Sequence, residues 1–248
     1  MFERYKTSNP ILNSKAFGQT GIIGGDRMTV AGTIGKSFIM LILLTLTAGW
    51  VWGQLYTTGS AQAVAPYILG GVIGGLVFAL ASTFKPNWSP VTAPLYAICE
   101  GLALGGFSAL FEMRYPGIVI QAVGLTLAVA FGMLMLYGTG IIKVTDRLRR
   151  MIVAATLGIL LFYLVTWVVS FFGVDTSVVY GHSSLSIGIS LVIVAIAAFN
   201  LVLDFDMIAQ QTTIGAPRFM EWYGAFALMV TLVWLYLEIL RLLGNTRR

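Results

Sequence analysis

Seven predominantly apolar runs, each about twenty residues long, follow one another down the chain with short polar breaks between them. A hydrocarbon core about 30 Å thick is crossed by a helix of about 20 apolar residues. The runs are Phe38 to Tyr56, Tyr67 to Phe84, Val91 to Phe111, Gly117 to Gly138, Met151 to Val174, Leu185 to Ile208 and Met220 to Leu243. They do not alternate with period two, so helices are favoured over barrel strands. The breaks carry turn residues and charges, most clearly Lys85-Pro86-Asn87-Trp88-Ser89-Pro90 and Arg114-Tyr115-Pro116-Gly117. The expected fold is an all-α integral membrane protein, a seven-transmembrane-helix bundle. Residues 1–36 read as a polar N-terminal tail and residues 37–248 as the membrane domain.

Composition closes the soluble alternatives. Of 248 residues, 58% are hydrophobic and 10% charged, where soluble domains carry roughly 25% charged residues. So few charges cannot provide a polar skin, which excludes most soluble enzymes and nucleic-acid binders. A single cysteine, Cys99, excludes an internal disulfide or a thiolate cage. A single histidine, His182, excludes a histidine-built metal centre. No resident cofactor is expected. The segment before Lys36 is too long and polar for a typical cleaved signal peptide, so the first span is expected to act as an uncleaved anchor.

Lys and Arg positions predict orientation. Eleven lie on the N-terminal side of the spans: Arg4, Lys6, Lys15, Arg27, Lys36, Lys85, Lys143, Arg147, Arg149, Arg150 and Arg218. Four lie on the other side: Arg114, Arg241, Arg247 and Arg248. The N-terminus is therefore expected in the cytoplasm. The run Lys143, Arg147, Arg149, Arg150 fits lipid headgroups better than nucleic acid.

Gly70, Gly71, Gly74 and Gly75 in the second span, and Gly101 and Gly105 in the third, have the spacing that lets helix backbones approach. Close packing within one bundle and a dimer interface both fit that pattern.

The carboxylates are the informative residues. Glu100 lies near the middle of the third span, where a charge costs a few kcal/mol and points to a bundle interior or a watery cavity. Asp204 and Asp206 lie near the end of the sixth span, two apart and so on different helix faces. Asn200, Asp204 and Gln211 share one stripe, expected to face the bundle interior, and Asp206 is expected at the rim beside Gln210. Glu221 and Glu238 bracket the last span, about 24 Å apart along the helix. Glu238 and Arg241, at i and i+3, are expected to pair locally. No Lys or Arg lies deep in a span, so unpaired acids there suit proton sensing or cation passage.

Leu203-Asp204-Phe205-Asp206-Met207-Ile208, together with the ending Leu240-Arg241-Leu242-Leu243-Gly244, the number of spans and the polar tail, resembles the transmembrane Bax-inhibitor-motif family. Its bacterial branch includes YccA-like proteins. The family's sixth span typically ends in Asp-Thr-Gln-x-Ile. Asp204 and Ile208 match its outer positions, and Phe205 and Asp206 replace Thr and Gln. The resemblance covers most of the chain from Lys36 onward. It implies a pH-sensitive calcium leak, with Asp204 as one of a pair of acids that close the pore from the cytoplasmic side. It also implies a bacterial inner membrane.

The second acid of that pair is expected midway along the last span, where alignment on the C-terminal ending puts Thr231. Glu238 lies seven residues later on broadly the same face. The family's second-span Arg is absent, since Tyr67 to Phe84 carries no charge. Glu100 and Asp206 are then candidates to share a proton with Asp204. Calcium prefers six to eight oxygen ligands. Asn200, Asp204, Glu100 and Thr231 could supply a few, with Asp204 and Glu100 as transient charged ligands and water filling the rest.

Two other classes compete. YccA-like relatives are associated with membrane-bound proteases, which makes a regulatory partner with the N-terminal tail as handle the alternative. An enzyme is not expected. Gly181-His182-Ser183-Ser184-Leu185 fails the Gly-x-Ser-x-Gly form at Leu185. No His-Glu-x-x-His zinc pattern and no phosphate-binding Gly loop with Lys is present. The expected partners are the lipid bilayer, calcium or protons, and in the alternative a membrane protease.

Overall fold

A computed structural model describes residues 27–173 and 183–247. The tail expectation for residues 1–26, and His182, lie outside the described residues. Seven long helices are described: α1 Val30–Thr58, α2 Ala61–Phe84, α3 Ser89–Arg114, α4 Ile118–Gly138, α5 Asp146–Ser170, α6 Ser184–Thr213 and α7 Met220–Thr246. A single 3-10 turn, Pro86–Trp88, separates α2 from α3. All seven are long and apolar enough to cross a membrane. The chain is a seven-helix integral membrane protein, as the apolar runs predict.

The helix ends differ from the apolar runs for local reasons. α1 begins at Val30, two turns before Phe38, because Thr29 caps it by accepting from the Gly32 N–H. Hydropathy stops at Lys36, but the backbone hydrogen bonds do not. α6 continues to Thr213, so Asp204 and Asp206 sit well inside it. α5 starts at Asp146, behind a Thr145 cap, and ends at Ser170. Short connections alternate between two ends. One end carries Lys36, Lys85, Arg149 and Arg218 and is called the basic end below.

α7 is the inner helix. It packs against α1, α3, α4 and α6, and buries Ala225, Phe226, Met229, Leu235, Ile239 and Leu240. α3 is clasped between α1 and α2. A methyl group on Gly105 would run into the Ala48 backbone, and one on Gly71 into Cys99 and Ala103. The small residues therefore serve packing within the bundle at these positions, where loss of side chain lets the backbones touch.

α5 is peripheral. Only Ile152 and Thr166 are fully buried on it. It rests on α6, and large apolar side chains such as Leu157, Leu160 and Leu161 point outward. Between α1 and α4, floored by α3 and α7, lies a half-enclosed apolar groove of about 370 Å³. Its lining includes Leu44, Trp52, Val123, Met229, Leu232 and Val233. The two hydroxyls at its floor, Ser108 and Tyr236, hydrogen-bond each other at 2.7 Å.

Candidate site of membrane carboxylates

The acids divide by what neutralises them. Asp206 is held at the rim by three donors. Arg149 of α5 pairs with it at 2.7 Å, Gln210 donates at 2.6 Å and the Tyr137 hydroxyl of α4 at 3.3 Å. Glu238 is buried at the other end. It accepts from Arg241 at 2.6 Å, from the Tyr163 hydroxyl of α5 at 2.7 Å and from the Trp234 indole at 3.3 Å. The i, i+3 pair expected for Glu238 and Arg241 is present, and the Arg241 guanidinium also lies 5.1 Å from the Tyr163 ring centre.

Asp204 and Glu100 have no such partner among the described residues. Asp204 of α6 faces α7, where the Thr231 hydroxyl lies beside its carboxylate. Its second oxygen, Oδ2, is buried without a hydrogen-bond partner. Glu100 of α3 projects into the space that a side chain on Gly75 of α2 would fill. The missing side chain at Gly75 makes room for this carboxylate in the middle of a span.

The expected stripe of Asn200 and Asp204 divides between two neighbours. The Asn200 amide donates to the Thr156 hydroxyl of α5 at 2.8 Å and to the Ile196 carbonyl at 2.9 Å. Asn200 thus turns to α5 while Asp204 turns to α7. A helical step of four residues leaves about 40° between them, enough to separate two adjacent neighbours. Glu100, Asn200 and Asp204 each meet a different helix, and of the four oxygen donors considered for calcium the structure joins Asp204 with Thr231. Among the described residues, no three His, Cys, Asp or Glu side chains gather as a metal cage.

Comparison with known families decides the chain's relationship. A family model described as Bax inhibitor 1 like matches residues 9–248. The chain belongs to the Bax inhibitor 1 like family. No curated protein and no solved structure matches it. Within this family member, the sixth-span acid is Asp204 and the residue facing it from the last span is a hydroxyl, not a second carboxylate.

One buried acid of this Bax inhibitor 1 like chain escaped the sequence reading in its role. Glu221 is 3% exposed. It forms an ion pair with Lys36 and accepts from both the N–H and the hydroxyl of Thr29 at 2.9 Å. Arg218 flanks it at 4.0 Å. Read along the chain, Glu221 only marked the start of the last span. Its partners lie at the start of α1, nearly the whole chain away, and no local spacing announces them. Glu112 acts similarly at the opposite end, where it accepts from the Val119 N–H at 3.0 Å and so caps the start of α4.

Proposed function

We propose that this Bax inhibitor 1 like protein is a pH-sensitive cation leak, with calcium as permeant and Asp204 as its proton-sensing group. The observation that carries the reading is the Asp204 carboxylate itself. It lies in a spanning helix against the innermost helix, with the Thr231 hydroxyl beside it and one oxygen, Oδ2, buried and without a hydrogen-bond partner. A carboxylate left that way, with no ion pair given to it, exchanges between a protonated form and a form that attracts a cation. Asp206, Glu221 and Glu238, by contrast, are each held by Arg or Lys. The distribution of Lys and Arg supports a cytoplasmic basic end, with Asp204 nearer that side, and the resemblance supports a bacterial inner membrane. The chain is read as a conduit and not as an enzyme.

Calcium flux into liposomes tests this directly, with wild type compared to Asp204→Asn over roughly pH 6 to 8. The expected result is a flux whose pH dependence is lost in the variant. Identical fluxes would remove Asp204 from the mechanism. A wild type that passes no cation would leave the regulatory reading, in which deletion of the N-terminal tail abolishes association with a membrane protease.

A further inference from the structure

We propose that the segment Arg27–Lys36 is an openable seal over the basic end of the α6–α7 pair, latched by Glu221. The proposal rests on the leak reading in placing Asp204 on the path, and adds what closes that path.

The seal starts with Met28. Its side chain is 2% exposed and packs with Ile208 of α6 and Ala216 of the α6–α7 turn, with Leu228 of α7 against the same cluster. Ile208 is one helical turn beyond Asp204, and Leu228 is three residues before Thr231. The apolar plug therefore lies along the two helices between the Asp204–Thr231 contact and the basic end. Met28 is fixed there by its backbone, whose N–H donates to the Ala216 carbonyl at 2.8 Å, and by the Arg27–Pro217 bridge.

Glu221 holds the segment down. One carboxylate oxygen takes the two Thr29 donors, and the other takes the Lys36 ammonium. Two glycines make the fit. A methyl on Gly32 would occupy the Glu221 carboxylate position, and one on Gly224 would press on Ile208, Thr33 and Met28. A purely structural anchor at this place is more cheaply made from apolar side chains, since burying an ion pair spends much of its attraction on desolvation. A latch of the Lys36 ion pair, the Arg218 contact at 4.0 Å and two Thr29 hydrogen bonds, set above a small plug, has few contacts to lose when it opens.

The test reads solvent access and needs no flux. In a Cys99→Ser background, Ile208→Cys is labelled in proteoliposomes with a charged, membrane-impermeant thiosulfonate, and the rate is followed by mass spectrometry. Slow labelling is expected with the seal intact. Met28→Ala, Glu221→Gln and Lys36→Met are each expected to raise it by about tenfold or more, as the open population grows. Ser190→Cys, far along α6, reports on general loosening and is expected to stay unreactive. Equal rates at Ile208→Cys in all backgrounds, or a parallel rise at Ser190→Cys, would overturn the seal. A protein that labels as expected but passes no calcium keeps the seal and loses the leak.

Discussion

The side-chain amide of Asn200 donates to the Thr156 hydroxyl across the α5–α6 contact at 2.8 Å. This is the middle of three polar links along one face of α5. Arg149, Thr156 and Tyr163 recur every seven residues and reach Asp206, Asn200 and Glu238. α5 contributes little buried surface, so these links carry an unusual share of its attachment.

The Thr156–Asn200 link is therefore expected to show a measurable coupling. A double-mutant cycle with Thr156→Val and Asn200→Ala, followed by equilibrium unfolding in mixed micelles, is expected to give about 0.6 kcal/mol, within a ceiling of about 1.7. Strict additivity of the two single variants would show that the bond contributes nothing.

Breaking one side of the Glu221–Lys36 pair is expected to cost more than removing both. The Glu221 side chain is 4% exposed and that of Lys36 14%, so an unpaired charge left there is poorly solvated. Glu221→Gln or Lys36→Met alone is expected to destabilise by about 2–3 kcal/mol, at or below the range for fully buried pairs. The double variant is expected to recover part of that loss. Thermal unfolding in detergent checks the order, and a double variant less stable than both singles contradicts it.

Gly105→Ala and Gly53→Ala form a matched comparison. An added methyl at Gly105 meets the Ala48 backbone, whereas at Gly53 it meets open space. The first is expected to lose about 1–3 kcal/mol through overpacking, and the second to be neutral or slightly stabilising. Similar behaviour of the two would mean that α1 and α3 separate without strain.

Asp204 and Glu100 meet different helices, α7 and α2. If each acts alone, Asp204→Asn and Glu100→Gln are expected to change the logarithm of leak rate additively, within about 0.5 kcal/mol. A double variant no different from Asp204→Asn would instead mark a shared proton. The liposome flux assay distinguishes the two outcomes.

The spans were legible because hydropathy is a local property, and the Glu238–Arg241 pair because it spans a single helical turn. The start of α1 at Val30 lies outside the apolar run from Phe38, because the Thr29 cap and not hydropathy sets it. Periodicity placed Asn200 and Asp204 on one stripe but could not say that the stripe lies at a boundary between α5 and α7. The Glu221 site depends on residues 185 and 192 positions distant. Such a contact is a property of the folded bundle, and no spacing in the chain encodes it visibly.

The apolar groove between α1 and α4 reaches α7, where Leu232 is half-buried and Met229 and Val233 are buried. In a bilayer, acyl chains are the solvent at that opening. Leu232, the neighbour of Thr231 in α7, thus faces that solvent. Chain length and saturation in a reconstituted membrane become thermodynamic variables of the protein itself, alongside pH and salt.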